Sequence, residues 1–168
     1  MNDYWLSKLV SSVDKVDSRK RLQKSVYLLQ LAGCPLKCNY ILHYYGPYSF
    51  DVASLVNCLD GAEIIEETPK GNRYEVHVID NGKAALKRFE NTSKGKSLLS
   101  EIQKFVPLFK QLNAEDSWVL ELAATVAYFY KGDWTNARKQ TSAFKNIHPD
   151  DPNLQKAEEL AKKFKKVA

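Results

Sequence analysis

The sequence lacks the segments that are typical of membrane proteins and exported proteins. No run approaches the roughly 18 consecutive apolar residues that a membrane helix needs. No basic-then-apolar leader opens the chain. The cysteines, Cys34, Cys38 and Cys58, are odd in number, which favours free thiols in a reducing compartment over a disulfide framework. We therefore expect a cytoplasmic protein that has no membrane partner.

Residue patterns for catalysis and for metal binding are also missing. The chain has no glycine-rich phosphate loop. Cys34, Cys38 and His43 are of metal-ligand type, but a fourth ligand is missing and the spacing fits no common zinc motif. A packed, inert role is favoured for them. We expect a protein that is not an enzyme and that needs no cofactor or metal.

The residues that are present have the composition of a soluble globular protein. At 168 residues, with 44% hydrophobic and 27% charged residues, the chain can form one large domain or two small ones. A chain of this length can bury a core without disulfides. The net charge of +5 permits an anionic partner without requiring one.

Residues 59–86 are the most informative stretch, because they read as a helix end, a hairpin and a new helix. Gly61 can take a positive φ just past the first helix. Residues 64–78 hold two apolar, partly alternating segments around a turn signal at 69–72, and Tyr74 falls on the face predicted to be buried. This combination predicts the wing of a winged helix-turn-helix domain.

Most of the remaining chain has helical periodicity. Helices are predicted at 3–13, 19–32, 50–59, 81–90, 97–112, 116–131, 134–147 and 152–166. Either Asp17 or Ser18, then Ser49 and either Asp80 or Asn81 are expected to cap helices. Pro107 is expected to interrupt a helix, and Pro152 to stand at the first position of the last one.

A polar, turn-rich segment at 91–95 divides the chain. The predicted fold is mainly α with a small β hairpin, in which a winged helix-turn-helix domain at 1–90 is followed by a C-terminal helical bundle domain at 95–168.

Basic residues gather at two places in the first half. Arg19, Lys20, Arg21 and Lys24 begin the second helix, where the helix N-terminus adds attraction for phosphate, and Lys70 and Arg73 flank the predicted wing tip. These six residues are the predicted nucleic-acid-binding site, and the alternative is that each group is only a solvated face.

The helix before the wing weakens the case for reading DNA bases. Its exposed residues are predicted to be Phe50, Asp51, Ala53, Ser54 and Asn57. Base edges are read mainly by Arg, Lys, Asn and Gln. A helix-turn-helix also joins its helices by three or four residues, whereas the linker here is 33–48.

The same linker supplies a rival site. Tyr40, Tyr44, Tyr45, Tyr48 and Phe50 lie close together beside a Gly-Pro pair, and tyrosine is enriched at protein interfaces; the last four are the predicted protein-interaction residues. Three roles stay open for them: filling the gap between the two halves, contacting a protein partner, or stacking on nucleic-acid bases. The middle of the linker is also a candidate strand that pairs with the wing.

Four segments carry a family resemblance. Residues 21–29 read RLQKSVYLL, 43–49 read HYYGPYS, 62–67 read AEIIEE and 121–128 read ELAATVAY. They resemble the YwgA-like family of prokaryotic winged-helix proteins, and more distantly the SocA-type antitoxin (Panacea) domain, which has a smaller helical tail. The first resemblance implies a regulator, and the second implies binding to a toxin. Neither transfers a catalytic residue.

The motif residues also have a structural interpretation, in which Gln23, Lys24 and the Gly46-Pro47 pair hold the second helix against the linker. For function, the sequence predicts a non-catalytic regulator that binds nucleic acid through the phosphate backbone. The alternative is a protein-interaction module, either antitoxin-like or an accessory subunit. The oligomeric state is left open.

Overall fold

A computed structural model describes residues 1–167, and side chains are described for residues 1–165. Ala168, the last residue of the predicted helical domain, lies outside the described residues. The helices are α1 (Asn2–Ser11), α2 (Arg19–Leu31), α3 (Phe50–Gly61), α4 (Asp80–Glu90), α5 (Ser93–Ile102), α6 (Val106–Asn113), α7 (Ser117–Phe129), α8 (Trp134–Lys145) and α9 (Pro152–Val167). The strands are β1 (Ile41–His43), β2 (Gly46–Tyr48), β3 (Ile65–Lys70) and β4 (Arg73–Val78).

The fold is therefore mainly helical with two small antiparallel hairpins. The β3–β4 hairpin was predicted, whereas the β1–β2 hairpin was not. β1 pairs with β2, with Ile41 opposite Tyr48 and His43 opposite Gly46, so the predicted pairing of the linker with the next hairpin is wrong. Gly46 has a φ of 91°, which lets the chain double back on itself at once.

A different segment pairs with the β3–β4 hairpin. Val16, in the connection between α1 and α2, exchanges two backbone hydrogen bonds with Val76 of β4, at N···O distances of 2.8 and 2.9 Å. The β4 side chains Val76 and Val78 are buried, as the alternating pattern predicts. Tyr74 was predicted on that buried face but is 53% exposed, because it lies near the turn, beyond the reach of the core.

The two ends of the β3–β4 hairpin also differ from expectation. Gly61 is still helical, and Glu63 takes the left-handed conformation with a φ of 55°. Neither Asp80 nor Asn81 caps α4; the Asn81 amide donates to the Glu63 carbonyl instead, at 3.1 Å. The start of α4 lies so close to the preceding chain that a Cβ on Gly82 would stand 2.0 Å from the Ile64 carbonyl oxygen.

Other local predictions are confirmed. Ser18 accepts from the Arg21 backbone N–H at 3.0 Å and Ser49 accepts from Val52 at 3.2 Å, so both cap their helices. Pro107 lies in the first turn of α6, after a short 3-10 turn that ends α5. Pro152 opens α9.

Helix α2 lies between the two halves of the chain. It packs against α6, α7 and α9, while α7 also packs against α8 and α9. Large buried side chains of both halves, such as Trp5, Leu22, Leu28, Phe109 and Phe164, belong to one hydrophobic core. The division into domains at 1–90 and 95–168 stays a prediction. No helix of the described residues is long and apolar enough to cross a membrane.

Candidate functional site

The motif residues of α2 hold the β1–β2 hairpin in place. The Gln23 amide donates to the Ser49 carbonyl at 2.8 Å and accepts from the Ser49 backbone N–H at 2.9 Å. The Lys24 ammonium donates to the Pro47 carbonyl at 2.7 Å. These buried bonds confirm the structural interpretation of the motif, in which α2 is tied to the linker before α3.

Arg21 ties α2 to the second half in the same way. Its guanidinium donates to the carbonyls of Leu112 and Glu115, at 3.0 and 2.7 Å, and to the Ser117 hydroxyl at 2.9 Å. The Leu112 carbonyl lies in the last turn of α6, and the Glu115 carbonyl lies in the connection between α6 and α7. Burial lowers the pKa of Arg21 below its ordinary value. Arg21 and Lys24 are named here the inner cations.

A buried carboxylate lies beside them. Glu121 of α7 accepts from Lys20 at 2.9 Å and from Lys145 of α8 at 2.5 Å, and Lys145 also donates to the Tyr44 carbonyl at 3.0 Å. Burial lowers the pKa of Lys24 to about 8; Glu121 opposes this shift, while Lys145 and Lys20 add to it. This network joins the β1–β2 hairpin to both helices.

Five of the six predicted nucleic-acid-binding residues line one cleft of about 560 Å³, which is named here the basic cleft. They are Arg19, Lys20, Arg21, Lys24 and Arg73. No carboxylate side chain of the described residues lines it, although Tyr45 and Tyr74 do. Two positions far apart in the chain, the start of α2 and the start of β4, therefore supply one concentrated positive surface.

The cations that are open to solvent, Arg19, Lys20 and Arg73, are named here the outer cations, and they differ in their partners. Arg19 donates to both carboxylate oxygens of Glu67 and, at 2.7 Å, to Asn57. Lys20 pairs with the buried Glu121 described above, and its ammonium lies 4.4 Å from the ring centroid of Tyr45. The described ion pairs engage Arg19 and Lys20 but not Arg73, which is exposed.

The sixth predicted residue, Lys70, does not line the cleft. Its ammonium lies 2.8 Å from Glu75, which Lys15 also contacts at 2.7 Å. Hydrogen bonds from Lys15 and Lys70 lower the pKa of Glu75 to about 2. Lys70 is 56% exposed and so remains open to solvent at the hairpin tip.

The predicted protein-interaction residues, Tyr44, Tyr45, Tyr48 and Phe50, form an aromatic surface beside the cleft, which is named here the exposed aromatic surface, although Tyr48 itself is half-buried. Tyr44 is 74% exposed and Phe50 is 67% exposed. The rings of Tyr44 and Tyr45 lie 5.1 Å apart, as do those of Tyr48 and Phe50. These residues therefore do not fill the gap between the two halves.

Tyr40, the first member of the same aromatic group, takes the buried position. Tyr40 packs edge-on against Tyr27 of α2, with ring centroids 4.8 Å apart. Burial raises the pKa of both phenols well above the ordinary range. The linker thus divides into a packed first part and an exposed tip at the β1–β2 turn.

The exposed face of α3 agrees with the sequence prediction except at Ala53, which is half-buried. Phe50, Asp51, Ser54 and Asn57 are exposed. Asp51 accepts from the backbone N–H of Asn39 at 2.7 Å. The exposed face therefore offers acids, one amide and one aromatic ring, but no cation.

Cys34 and Cys38 are free and buried, as the packed role predicted for them requires, but the same prediction is wrong for His43, which is exposed at the end of β1. Burial raises the pKa of both thiols to about 11. In residues 1–165, no three His, Cys, Asp or Glu side chains form a group that could hold a metal ion.

Two contributors to the site, Glu121 and Tyr74, escaped the sequence analysis. Glu121 lies in a strongly apolar helix, and a lone acid in such a helix is itself a signal of a buried ion pair. Tyr74 was assigned to the core by alternation alone. No sequence signal shows that it reaches the start of α2.

Comparison with known proteins gives one informative likeness. No family model matches the chain. The chain is 27% identical to "Uncharacterized protein YwgA" of Bacillus subtilis (strain 168) over 130 residues, which cover 74% of this chain and 72% of that protein. This similarity supports the resemblance to a YwgA-like family that the sequence motifs predict.

Proposed function

We propose that this protein is a non-catalytic regulator that binds nucleic acid through its phosphate backbone at the basic cleft. The observation that carries the proposal is the convergence on one cleft of three cations that are open to solvent, Arg19, Lys20 and Arg73, with the buried Arg21 and Lys24 behind them and no carboxylate of the described residues in the lining. Lys and Arg side chains dominate the affinity of proteins for nucleic acid, because they replace the counterions that condense on phosphates. The net charge of +5 acts in the same direction.

The order of elements supports a winged-helix arrangement for the first half. α1, the Val16 bridge, α2, α3 and the β3–β4 hairpin follow one another along the chain, and Val16 extends the hairpin as a third strand would. In this proposal the β3–β4 hairpin is the wing. The β1–β2 hairpin is an insertion between the two helices that a helix-turn-helix joins by a short turn.

The proposed contact differs from ordinary base reading. Helix α3 contains no Lys or Arg, and Asp51 and Asp60 on its exposed side repel phosphate. Bidentate reading of guanine needs Arg or Lys. Binding is therefore proposed at the start of α2 and at the hairpin tip, with little preference for sequence.

The test is fluorescence anisotropy of labelled random oligonucleotides, both double-stranded and single-stranded, at two salt concentrations. We expect four phosphate contacts, from Arg19, Lys20, Lys70 and Arg73. A plot of the logarithm of the duplex binding constant against the logarithm of the salt concentration then has a slope of about −3.6. Arg73→Ala is expected to weaken binding about fivefold on every sequence and to flatten the slope by about 0.9.

Arg88→Ala is the matched control, because it removes the same charge from an exposed position on α4. Equal losses in the two variants would mean that only net charge matters and would remove the cleft from the proposal. If neither form of nucleic acid binds at low salt, the proposed function is wrong.

A second candidate function rests on the exposed aromatic surface. Aromatic side chains that are 67% and 74% exposed, as in Phe50 and Tyr44, are typical of protein-binding hot spots. Under this alternative the protein is an antitoxin-like or accessory subunit, and the first partner to test is the product of a neighbouring gene.

Phe50→Ala is expected to weaken that complex at least about tenfold while the unfolding temperature stays unchanged. Tyr74→Ala is its control, since Tyr74 is 53% exposed but lies on the β3–β4 hairpin, outside the aromatic surface. Equal affinity of the wild type and of both variants would count against this function.

A further inference from the structure

We infer that the basic cleft holds a nucleotide whose base is unstacked, so that its ligand is single-stranded nucleic acid or a free nucleotide. This inference rests on the proposed function and names the ligand class of the same site. Three features carry it: the concave shape of the cleft, the aromatic side chains that line it, and the position of Arg73 beside one of them.

The shape comes first. Proteins read a duplex with elements that protrude into its grooves. The cations here line a concave space of about 560 Å³, and α3, the helix that would have to protrude, has no basic residue. A single strand can enter such a cleft, whereas a stacked duplex meets only its rim.

The aromatic lining comes second. Tyr45 of the β1–β2 turn and Tyr74 of β4 both line the basic cleft, and they are 49% and 53% exposed. Aromatic rings beside a basic groove are the usual means by which proteins bind single strands, because every base has a face on which a ring can stack. Two exposed rings among five cations supply both parts of that chemistry.

The arrangement of charge comes third. Arg73 and Tyr74 line the same cleft, and the described ion pairs do not engage Arg73. A strand in the cleft can therefore place a phosphate on Arg73 and a base on Tyr74. Lys20, whose ammonium faces Tyr45, lines the same cleft and offers a second pair of a cation and a ring.

A second cavity adjoins the basic cleft and lengthens the route that a single strand can follow. It measures about 280 Å³ and shares Arg19, Lys20, Lys24 and Tyr45 with the basic cleft. His43 and Tyr48 line it as well, and the ring of His43 lies 5.9 Å from that of Tyr45. A strand thus has cations and aromatic rings along a route that is longer than one nucleotide.

The experiment compares a labelled oligothymidylate of about 12 nucleotides, a length within the range that such folds cover, with a duplex of equal length at low salt. The single strand is expected to bind at least about tenfold more tightly than the duplex. Tyr74→Ala is expected to weaken single-strand binding about tenfold and to change duplex binding little, because it removes one stacking ring.

Two controls accompany that variant. Tyr74→Phe keeps the ring and is expected to bind as the wild type does. Ile41→Ala removes an apolar side chain of similar exposure that does not line the cleft, and it is also expected to bind as the wild type does. Since Tyr74 and Ile41 are exposed, the three variants are expected to fold, and their unfolding temperatures check this.

Competition with unlabelled compounds separates the sources of the ligand. If thymidine monophosphate displaces the labelled strand when the two are present at equal concentrations of nucleotide, the site is assigned to a free nucleotide. If thymidine monophosphate displaces the strand only weakly, the site is assigned to a strand. Inorganic phosphate that competes as well as thymidine monophosphate would show that the base contributes nothing and would overturn the inference.

Two further outcomes also overturn it. If duplex binds as tightly as single strand, the inference is wrong while the proposed function stands; if neither binds, both are wrong. A third outcome has two parts: polyglutamate displaces the strand as well as thymidine monophosphate does, and Tyr74→Ala does not change single-strand binding. Together they would overturn the inference and mean that the cleft receives an acidic protein segment.

Discussion

The inner and outer cations show how differently one helix face can use the same residue types. Arg21 and Lys24 are 8% and 2% exposed, and both donate hydrogen bonds to backbone carbonyls. Arg19 and Lys20, less than two turns away, keep more than two fifths of their side chains in solvent. Burial therefore commits the first pair to contacts within the fold, whereas the second pair stays open to solvent.

The reason lies in desolvation. A buried cation must be compensated by hydrogen bonds, and removing it leaves its acceptors unsatisfied. An exposed ion pair contributes little to stability, because water competes for both partners. The comparison thus separates changes that reduce stability from changes that alter binding.

The largest effect is expected where the inner cations meet the β1–β2 hairpin. A Cβ on Gly46 would stand 2.6 Å from the Thr125 hydroxyl and 3.6 Å from Cε of Lys24, at a φ of 91°. Gly46→Ala is expected to lower the free energy of unfolding by about 4 kcal/mol, from backbone strain and overpacking together. Chemical denaturation measures this loss.

Gly33→Ala is the matched control, because Gly33 has a φ of 93° but nothing within 4 Å of its Cβ position. It is expected to cost only about 1 to 2 kcal/mol. Equal losses at the two glycines would show that backbone strain alone matters and that the contact between the hairpin and α7 is loose.

Arg21→Met is expected to lower the free energy of unfolding by about 3 kcal/mol, because three hydrogen bonds are lost, one of them fully buried, and the Glu115 carbonyl loses the guanidinium donor. Arg19→Met removes an equal charge from the same helix and is expected to cost under about 1 kcal/mol. Denaturation of both variants, together with oligonucleotide binding, tests the division between inner and outer cations. A larger loss of stability in Arg19→Met than in Arg21→Met would contradict this division.

Lys24 is expected to make the free energy of unfolding depend on pH. Its pKa is about 8 in the folded protein against an ordinary value of 10.5, so between these pH values the unfolded chain binds more protons than the folded protein. The free energy of unfolding of the wild type, relative to that of Lys24→Met, is therefore expected to rise with pH in this window. The rise is at most about 1.4 kcal/mol per pH unit.

Urea denaturation of both proteins at pH 8 and pH 10 measures the difference between them. Groups other than Lys24 titrate in both proteins and cancel to first order. A difference that does not change with pH would mean that the Lys24 ammonium is solvated rather than buried.

The smallest effect concerns an outer cation. Glu67→Gln removes the carboxylate that holds Arg19, and it is expected to tighten oligonucleotide binding about threefold by freeing one phosphate contact. Glu159→Gln is the control, because it changes the net charge equally at an exposed position of α9. If the two variants bind equally, Arg19 contributes only through the net charge.

Much of the fold could be predicted from local patterns. The caps at Ser18 and Ser49, the restart at Pro107 and the alternation of Val76 and Val78 all depend on residues within a few positions of one another. The β1–β2 hairpin could not be predicted as reliably, since its strands have three residues each and its partner helix is distant in sequence.

For the candidate site, the sequence by itself determined which residue types are available: a run of cations at the start of α2, an arginine and a lysine at the β3–β4 turn, and tyrosines in the linker. Only the tertiary structure decided their roles. It buried Arg21 and Lys24, exposed Tyr44 and Phe50, and brought Arg73 beside Lys20. The physical reason is that burial, and with it the cost of desolvation, depends on helices that lie about a hundred residues away in the chain.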